Sequence, residues 1–190
     1  MNLDRPYVPS KRRDFLAATS ATVLAAAGAA PANASQTDRQ LVFVNLAQAM
    51  DEVRALSQAR SLASQTQWNW AQTLVHSAQS IEYSLTGFPQ PKSALFQRTV
   101  GAVAFAVFDL RGRMIHSLSE PIPGAPTIDA STDASQAMER LEIAVARFHA
   151  WTAPLQPHFA YGELSKPAYE RAHAMHLANH LSAFSPDSVS

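Results

Sequence analysis

The sequence predicts an all-α fold, a four-helix bundle in one domain with an extra short helix in the connection between the second and third main helices. Apolar residues recur at spacings of three and four in successive segments, which is the period of a helix with one buried face. Proline-containing stretches separate these segments, and few stretches alternate as strands do. Of the 190 residues, 47% are hydrophobic, enough to fill one core and too many for a disordered chain.

The first two main helices are predicted over residues 46 to about 63 and about 68 to 86. Asn45 is a plausible N-cap of the first, and Gly87 and Pro89 end the second. A further apolar stretch, residues 93 to about 108, gives the extra helix. Its segment 104–108 also fits a strand, but we favour a helix.

The last two main helices are predicted over residues 133–151 and 165 to about 184. A loop over residues 117–132, rich in proline and small polar residues, precedes the third helix, which Ser131 or Thr132 caps. Ser165, followed two residues later by proline, opens the fourth. The helical domain is expected to span residues 35–184, with a flexible tail over residues 185–190.

The first 34 residues have the layout of a signal peptide, with a charged segment, an apolar run and a small-residue cleavage site. Arg12 and Arg13, followed by Asp14-Phe15-Leu16, resemble a twin-arginine signal. We expect cleavage after Ala34 and export to the periplasm by the twin-arginine machinery. The apolar run of 14 residues is shorter than the roughly 20 needed to span a bilayer, so a membrane anchor is disfavoured.

The residue counts exclude several kinds of function. The chain has 7 His and 0 Cys, so it has no disulfide framework, zinc–thiolate site or cysteine nucleophile. Its formal net charge of zero, from 15 basic and 15 acidic residues, gives no basic field for nucleic acid. Any metal ion must therefore be bound by imidazole, carboxylate or water.

Three histidines lie along one face of the last predicted helix. His173, His176 and His180 follow one another at spacings of three and four, and Tyr169 and Phe184 extend the stripe. A face that carries two large aromatic residues is expected to turn inward. His176 and His180, one turn apart, can approach one cation, so a third ligand must come from another element.

His76 on the second helix is the best candidate for that third ligand. Its helical neighbours Gln72, Gln79, Ser80 and Tyr83 are polar, whereas the apolar stripe of this helix runs elsewhere. Such a face is either ordinary exposed surface or the polar wall of an internal site, and the residues alone leave both readings open.

Three segments together resemble the DinB-like superfamily of metalloenzymes, in a branch known as a domain of unknown function. They are Leu74-Val75-His76, the loop from Pro157 to Ser165, and His176-Leu177-Ala178-Asn179-His180-Leu181. The resemblance implies a four-helix bundle in which His76, His176 and His180 bind one divalent ion, zinc, nickel, iron or manganese. It also implies a homodimer and, from relatives that act on low-molecular-weight thiols, metal-assisted activation of a thiol.

Other residues near this site have secondary or undefined roles. His173 and His158 are expected to form the pocket wall or a second shell, although a loop histidine such as His158 is as often bonded to backbone or water. Many relatives have histidine where this chain has Asn179. His116 and His149 fit no pattern and are assigned no role.

The candidates for a general acid or base are Tyr83, Tyr169 and Glu82, and Glu82 is also read as a surface carboxylate. No Ser-His-Asp pattern, phosphate loop or dinucleotide fingerprint appears. We therefore expect an exported metal-dependent transferase or hydrolase that acts on a small molecule by activating a thiol or water. The alternative is a non-catalytic metal- or ligand-binding bundle, and a weaker one is a helical interaction module.

Overall fold

The computed structural model describes residues 38–187, and within them the chain is mostly helical with one small two-stranded sheet. The elements are α1 (Leu46–Ser57), β1 (Leu62–Ser64), α2 (Trp70–Thr86), α3 (Ala94–Phe96), a π-helical segment (Gln97–Gly101), α4 (Ala102–Arg111), α5 (Ala134–Ala150), α6 (Lys166–Leu181) and β2 (Phe184–Pro186). The expected export signal, with Arg12, Arg13 and Ala34, lies outside the described residues.

Helices α1, α2, α5 and α6 pack in pairs around a shared core. Helix α2 packs along α5, α1 packs against α6, and α2 also contacts α6. Large side chains that are almost fully buried fill the space between them; they include Leu46, Leu56, Leu74, Ile81, Leu141, Phe148, Leu177 and Leu181. Burial of each such side chain contributes about 1.5–3 kcal/mol, which makes helix packing the main source of stability.

Side-chain caps begin each long helix. Asn45 accepts a hydrogen bond from the backbone N–H of Gln48, and Ser165 caps α6 through the N–H of Ala168, as the sequence predicts. Helix α5 differs, because its cap is Asp133 and not Ser131 or Thr132. The Asp133 carboxylate accepts the free N–H groups of the first turn, including that of Gln136, so the helix begins at Ala134, one residue later than predicted.

The small sheet is the feature that the sequence prediction missed. Helix α1 ends at Ser57, not near residue 63, and α6 ends at Leu181, not at Phe184, because β1 and β2 pair antiparallel. The pairing buries Phe184 almost completely. Residues 185 and 186, predicted as part of a flexible tail, belong to β2, and the Asp187 N–H donates to the carbonyl of Ser61.

The connection between α2 and α5 contains a helix over residues 94–111, which confirms the helical reading of this stretch over the strand. It is longer than a short helix, and its middle is widened into a π-helical turn. One side of it carries exposed apolar residues, among them Val100, Val103 and Leu110. The opposite side contacts the loop before α6, where the Phe105 ring lies 5.5 Å from that of Tyr161.

No helix among residues 38–187 combines the length and the apolar character that a membrane crossing needs.

Candidate metal centre

The three predicted ligands lie close together between α2 and α6. His76 on α2 faces His176 and His180 on α6, and one nitrogen from each of the three rings lies within 4.8 Å of the others. The ring centres are 4.7–5.0 Å apart in all three pairs. We call these three residues the triad. Their placement shows that the polar face of α2 around His76 is a buried wall and not exposed surface.

The spacing of the triad suits a single metal ion. Imidazole nitrogens bound at about 2.1 Å from one ion are at most about 4.2 Å apart, so small ring rotations bring the observed nitrogens into range. Three neutral imidazoles leave coordination positions open for water or substrate. The triad could therefore hold a divalent cation.

Unsatisfied polar atoms point to the same place. Among the described residues, eight buried side-chain nitrogen or oxygen atoms have no hydrogen-bond partner, and five of the eight belong to His76, His116, His176 and His180. A buried polar atom without a partner costs about 1–3 kcal/mol, so such a concentration calls for a binding partner. A cation bound through one lone pair from each ring would supply a partner for one nitrogen of each histidine.

All of these imidazoles are held in the neutral form that binds metal. Burial lowers the pKa of His76 to about 3, and the neighbouring His116 adds to the effect. Burial, followed by the proximity of the other histidines, also lowers the pKa values of His176 and His180 well below the ordinary value. A neutral imidazole offers a lone pair, so no proton has to leave before a metal ion binds.

His116, to which the sequence pattern assigned no role, lies against the triad. Its ring centre is 4.8 Å from that of His176 and 5.0 Å from that of His180. It lies in the loop between α4 and α5, which has no helical spacing to mark one face. Nothing in the local sequence except the residue type itself could have indicated this position.

A cavity of about 230 Å³ opens beside the histidines. His76, His116 and His176 form part of its wall, and His158, His173 and Tyr161 form another part. Lys92 and Glu120, both exposed, lie at the same opening. His173 and His158, expected in the pocket wall or a second shell, both line this cavity, and His158 is also bonded to backbone N–H groups.

The loop from His158 to Gly162 holds His158 in one tautomer. His158 and Gly162 exchange two backbone hydrogen bonds, and the His158 Nδ1 accepts the N–H groups of Ala160 and Tyr161 at 3.1 and 3.2 Å. The proton of the neutral ring is therefore on Nε2. Burial, reinforced by His173 and His116, lowers the pKa of His158 to about 3, so this N–H is a fixed, uncharged donor.

The π-helical segment supports this loop. The side-chain amide of Gln97 donates to the carbonyl oxygens of His158 and Phe159, both at 3.3 Å. The ring of Tyr161 stacks on His158 with 4.2 Å between centres and 7° between planes. Burial raises the pKa of Tyr161 to about 12, so its hydroxyl stays protonated. Segments of π-helix often occur at functional sites, and here the widened turn holds a cavity wall.

His173 has the complementary orientation. The Ser84 hydroxyl donates to the carbonyl of Ile81, so its oxygen can accept from the His173 Nε2, which lies 3.3 Å away. The remaining Nδ1 then carries a lone pair. Burial lowers the pKa of His173 to about 3. In this part of the cavity wall, His158 therefore offers a hydrogen-bond donor at Nε2 and His173 an acceptor at Nδ1.

The three predicted acid or base candidates do not line this cavity in the described part of the chain. The Glu82 carboxylate accepts hydrogen bonds from the Nε and Nη2 atoms of Arg140 on α5, at 2.9 and 2.7 Å. Tyr83 packs against Phe88. Tyr169 is buried beside His173 and donates its hydroxyl to the carbonyl of Gln156 at 2.6 Å, which leaves it a structural contact.

Two further residues of the sequence analysis are His149, which has no assigned role, and Asn179. The His149 Nε2 lies 3.5 Å from a Glu170 carboxylate oxygen, at the surface and away from the cavity wall. Asn179 on α6 donates its side-chain amide to the carbonyl of His116 at 3.3 Å. This residue therefore contacts the loop that carries His116.

Comparison with known proteins places the chain in one family. Residues 35–187 match the family model described as "Protein of unknown function (DUF1569)". No curated protein and no solved structure shows significant similarity to the chain. Because the match covers most of the 190 residues, the chain belongs to the DUF1569 family of proteins of unknown function.

Proposed function

We propose that this protein is a DinB-like metal-dependent enzyme that binds one divalent ion through His76, His176 and His180 and acts on a small molecule in the adjacent cavity. The single observation that carries this proposal is the meeting of three neutral imidazoles at the wall of that cavity. The paired packing of α1, α2, α5 and α6 supports the four-helix bundle that the resemblance implies.

The cavity favours an enzyme over the non-catalytic alternative. A structural metal site is closed by protein ligands, whereas a catalytic one keeps a position open to substrate. Here His76 and His176 are shared between the triad and the cavity wall. A molecule in the cavity would therefore lie next to the ion.

The chain's own residues would orient that molecule. His158 presents an N–H donor at Nε2 and His173 a lone pair at Nδ1, both uncharged, so together they can hold one ligand group that accepts and another that donates. Tyr161 keeps its hydroxyl proton beside them. A divalent ion, when bound, lowers the pKa of a coordinated water or thiol. These contacts support transfer or hydrolysis by an activated thiol or water.

Metal analysis of the purified protein tests the proposal. After reconstitution with zinc, nickel, iron or manganese, we expect about one ion per wild-type chain and little in His76→Ala or His180→Ala. The matched control is His149→Ala, which removes an imidazole away from the cavity and should retain the metal. Equal, low metal content in the wild type and both triad variants would rule out the site.

A thiol probe separates the enzyme from the metal-binding alternative. In the Co²⁺-loaded protein, 2-mercaptoethanol should produce a near-ultraviolet thiolate-to-cobalt absorption band, because the open position admits a thiol. A Co²⁺ spectrum that responds neither to the thiol nor to pH would indicate a closed site and favour the non-catalytic bundle.

We also propose export to the periplasm and cleavage after Ala34. The family match begins at residue 35, which supports a separate leader. The homodimer that the resemblance implies stays a prediction, which sedimentation velocity of the purified protein tests.

A further inference from the structure

We infer that His116 is a fourth imidazole ligand of the ion held by His76, His176 and His180, an inference that rests on the proposed function. It makes the loop between α4 and α5 part of the metal site. Ring spacing, the orientation of the His116 ring and the attachment of its backbone lead to this assignment.

The ring spacing of His116 equals that of the triad. Imidazoles bound to one ion at about 2.1 Å in adjacent positions have ring centres about 4.5–5.2 Å apart. The three pairs within the triad measure 4.7–5.0 Å. His116 lies 4.8 Å from His176 and 5.0 Å from His180. Five of the six pairs among the four rings therefore have the spacing of neighbouring ligands.

His116 completes a cluster of four rings. The rings of His76 and His116 each lie within 5.0 Å of those of both His176 and His180. An ion with six coordination positions that was bound by these four imidazoles would keep two positions for water or substrate.

The His116 ring presents a lone pair to the cluster. Its Nδ1 lies 2.9 Å from the carbonyl oxygen of Ser117, and because a carbonyl only accepts, this nitrogen carries the proton. The Nε2 then bears the lone pair, and it is buried without a hydrogen-bond partner. Metal-bound histidines usually donate their other nitrogen to a carbonyl or carboxylate in this way.

The backbone of His116 is attached to the helix that carries two of the other ligands. The Asn179 amide on α6 donates to the His116 carbonyl, and Asn179 directly precedes His180. The cavity adjoins the cluster at His76, His116 and His176, which line it, and not at His180. The open positions of the ion would consequently face the cavity.

X-ray absorption of the Co²⁺-loaded full chain counts the imidazoles directly, because ring carbons give a distinct outer-shell scattering. We expect four imidazoles in the wild type and three in His116→Ala. We also expect His116→Ala to bind Co²⁺ at least about tenfold more weakly, since ligand orientation alone changes metal affinity by about 10–100-fold. His149→Ala is the matched control and should equal the wild type in both measurements.

The outcomes separate this inference from the proposed function. Three imidazoles in the wild type, or unchanged affinity in His116→Ala, would overturn the role of His116 while leaving the triad intact. A wild-type chain that binds no Co²⁺ would overturn the triad site and the fourth ligand with it. If His116→Ala does not fold, judged by its metal-free melting curve, the wild-type count and the His116→Asn variant decide.

Discussion

Gly101 lies directly against the carbonyl of Ala160, and a β-carbon on Gly101 would overlap that oxygen. The contact joins the π-helical segment to the loop from His158 to Gly162. It explains why a buried glycine occupies a helical position, where glycine is otherwise unfavourable. The helix over residues 94–111 thereby positions a wall of the cavity.

This contact predicts the sign of a stability change. Gly101→Ala should lower the free energy of unfolding by about 1–3 kcal/mol, the usual cost of overpacking. Helix propensity alone predicts the opposite, a gain of about 1 kcal/mol. Urea unfolding measures the difference. The exposed neighbour Ala102→Gly serves as control and should cost about 1 kcal/mol. A Gly101→Ala variant more stable than wild type would show that the overlap does not exist.

A metal ion bound by the folded chain alone should stabilise it. At a free concentration of 100 times the dissociation constant the gain is about 2.7 kcal/mol, which raises Tm by roughly 5–11 °C for a chain of this size. Differential scanning calorimetry with Zn²⁺ or Ni²⁺ checks this, and EDTA should reverse it. Mg²⁺, which prefers oxygen ligands, should give no shift. Equal shifts in wild type and His180→Ala would place the ion elsewhere.

The metal-free protein should lose stability as pH falls below about 6.5. Buried His173 has a pKa of about 3 in the folded chain, against about 6.5 when unfolded. Between these values the unfolded chain binds a proton that the folded chain does not, so acid favours unfolding, whereas above pH 6.5 both forms are neutral.

The His173→Gln variant isolates this contribution. This variant lacks the histidine proton that the unfolded wild-type chain binds. Its free energy of unfolding relative to wild type should therefore rise by up to about 1.4 kcal/mol for each unit by which the pH falls from 6 to 4. The difference in free energy of unfolding between the two proteins at pH 8 is the baseline, because His173 is neutral in both the folded and the unfolded chain at that pH. Chemical unfolding at several pH values gives both quantities. If the free energies of unfolding of the two proteins change equally between pH 6 and 4, His173 is protonated in the folded chain as well as in the unfolded one.

The twin-arginine interpretation predicts that export depends on Arg12 and Arg13. Changing Arg12 and Arg13 together to lysine keeps the charge but removes the arginine pair, so most of the protein should stay in the cytoplasm at its precursor length. Cell fractionation with immunoblotting measures this, and Lys11→Arg is the control that should still be exported. Normal periplasmic accumulation of the double variant would indicate a different export route.

Much of the helical content and the triad could be predicted because both have local periodic signals. The spacing of Leu74, Ala78, Ile81 and Leu85 marks the buried face of α2, and His176 and His180 lie one turn apart on α6. Helix propensity and apolar spacing depend on residues close together in the chain, so they can be recognised in a single sequence. The resemblance added His76, which spacing alone left open between surface and site.

Contacts between distant segments could not be read in this way. The pairing of residues 62–64 with 184–186 joins strands of three residues whose patterns are too short to distinguish. Glu82 has the sequence context of a free carboxylate, yet Arg140 on α5 binds it. In each case the partner is more than 50 residues away, and packing of the helices selects it.

The sequence by itself determined the long helices, their caps at Asn45 and Ser165, and two histidines on one face of α6. Only the tertiary structure decided that His116 joins them, because a loop residue has no periodic neighbours to reveal its direction. Its position depends on contacts with Ser117 beside it and with Asn179 across the fold. Burial and long-range packing therefore decide which of the seven histidines lie at the candidate metal centre, and local sequence does not encode either of them.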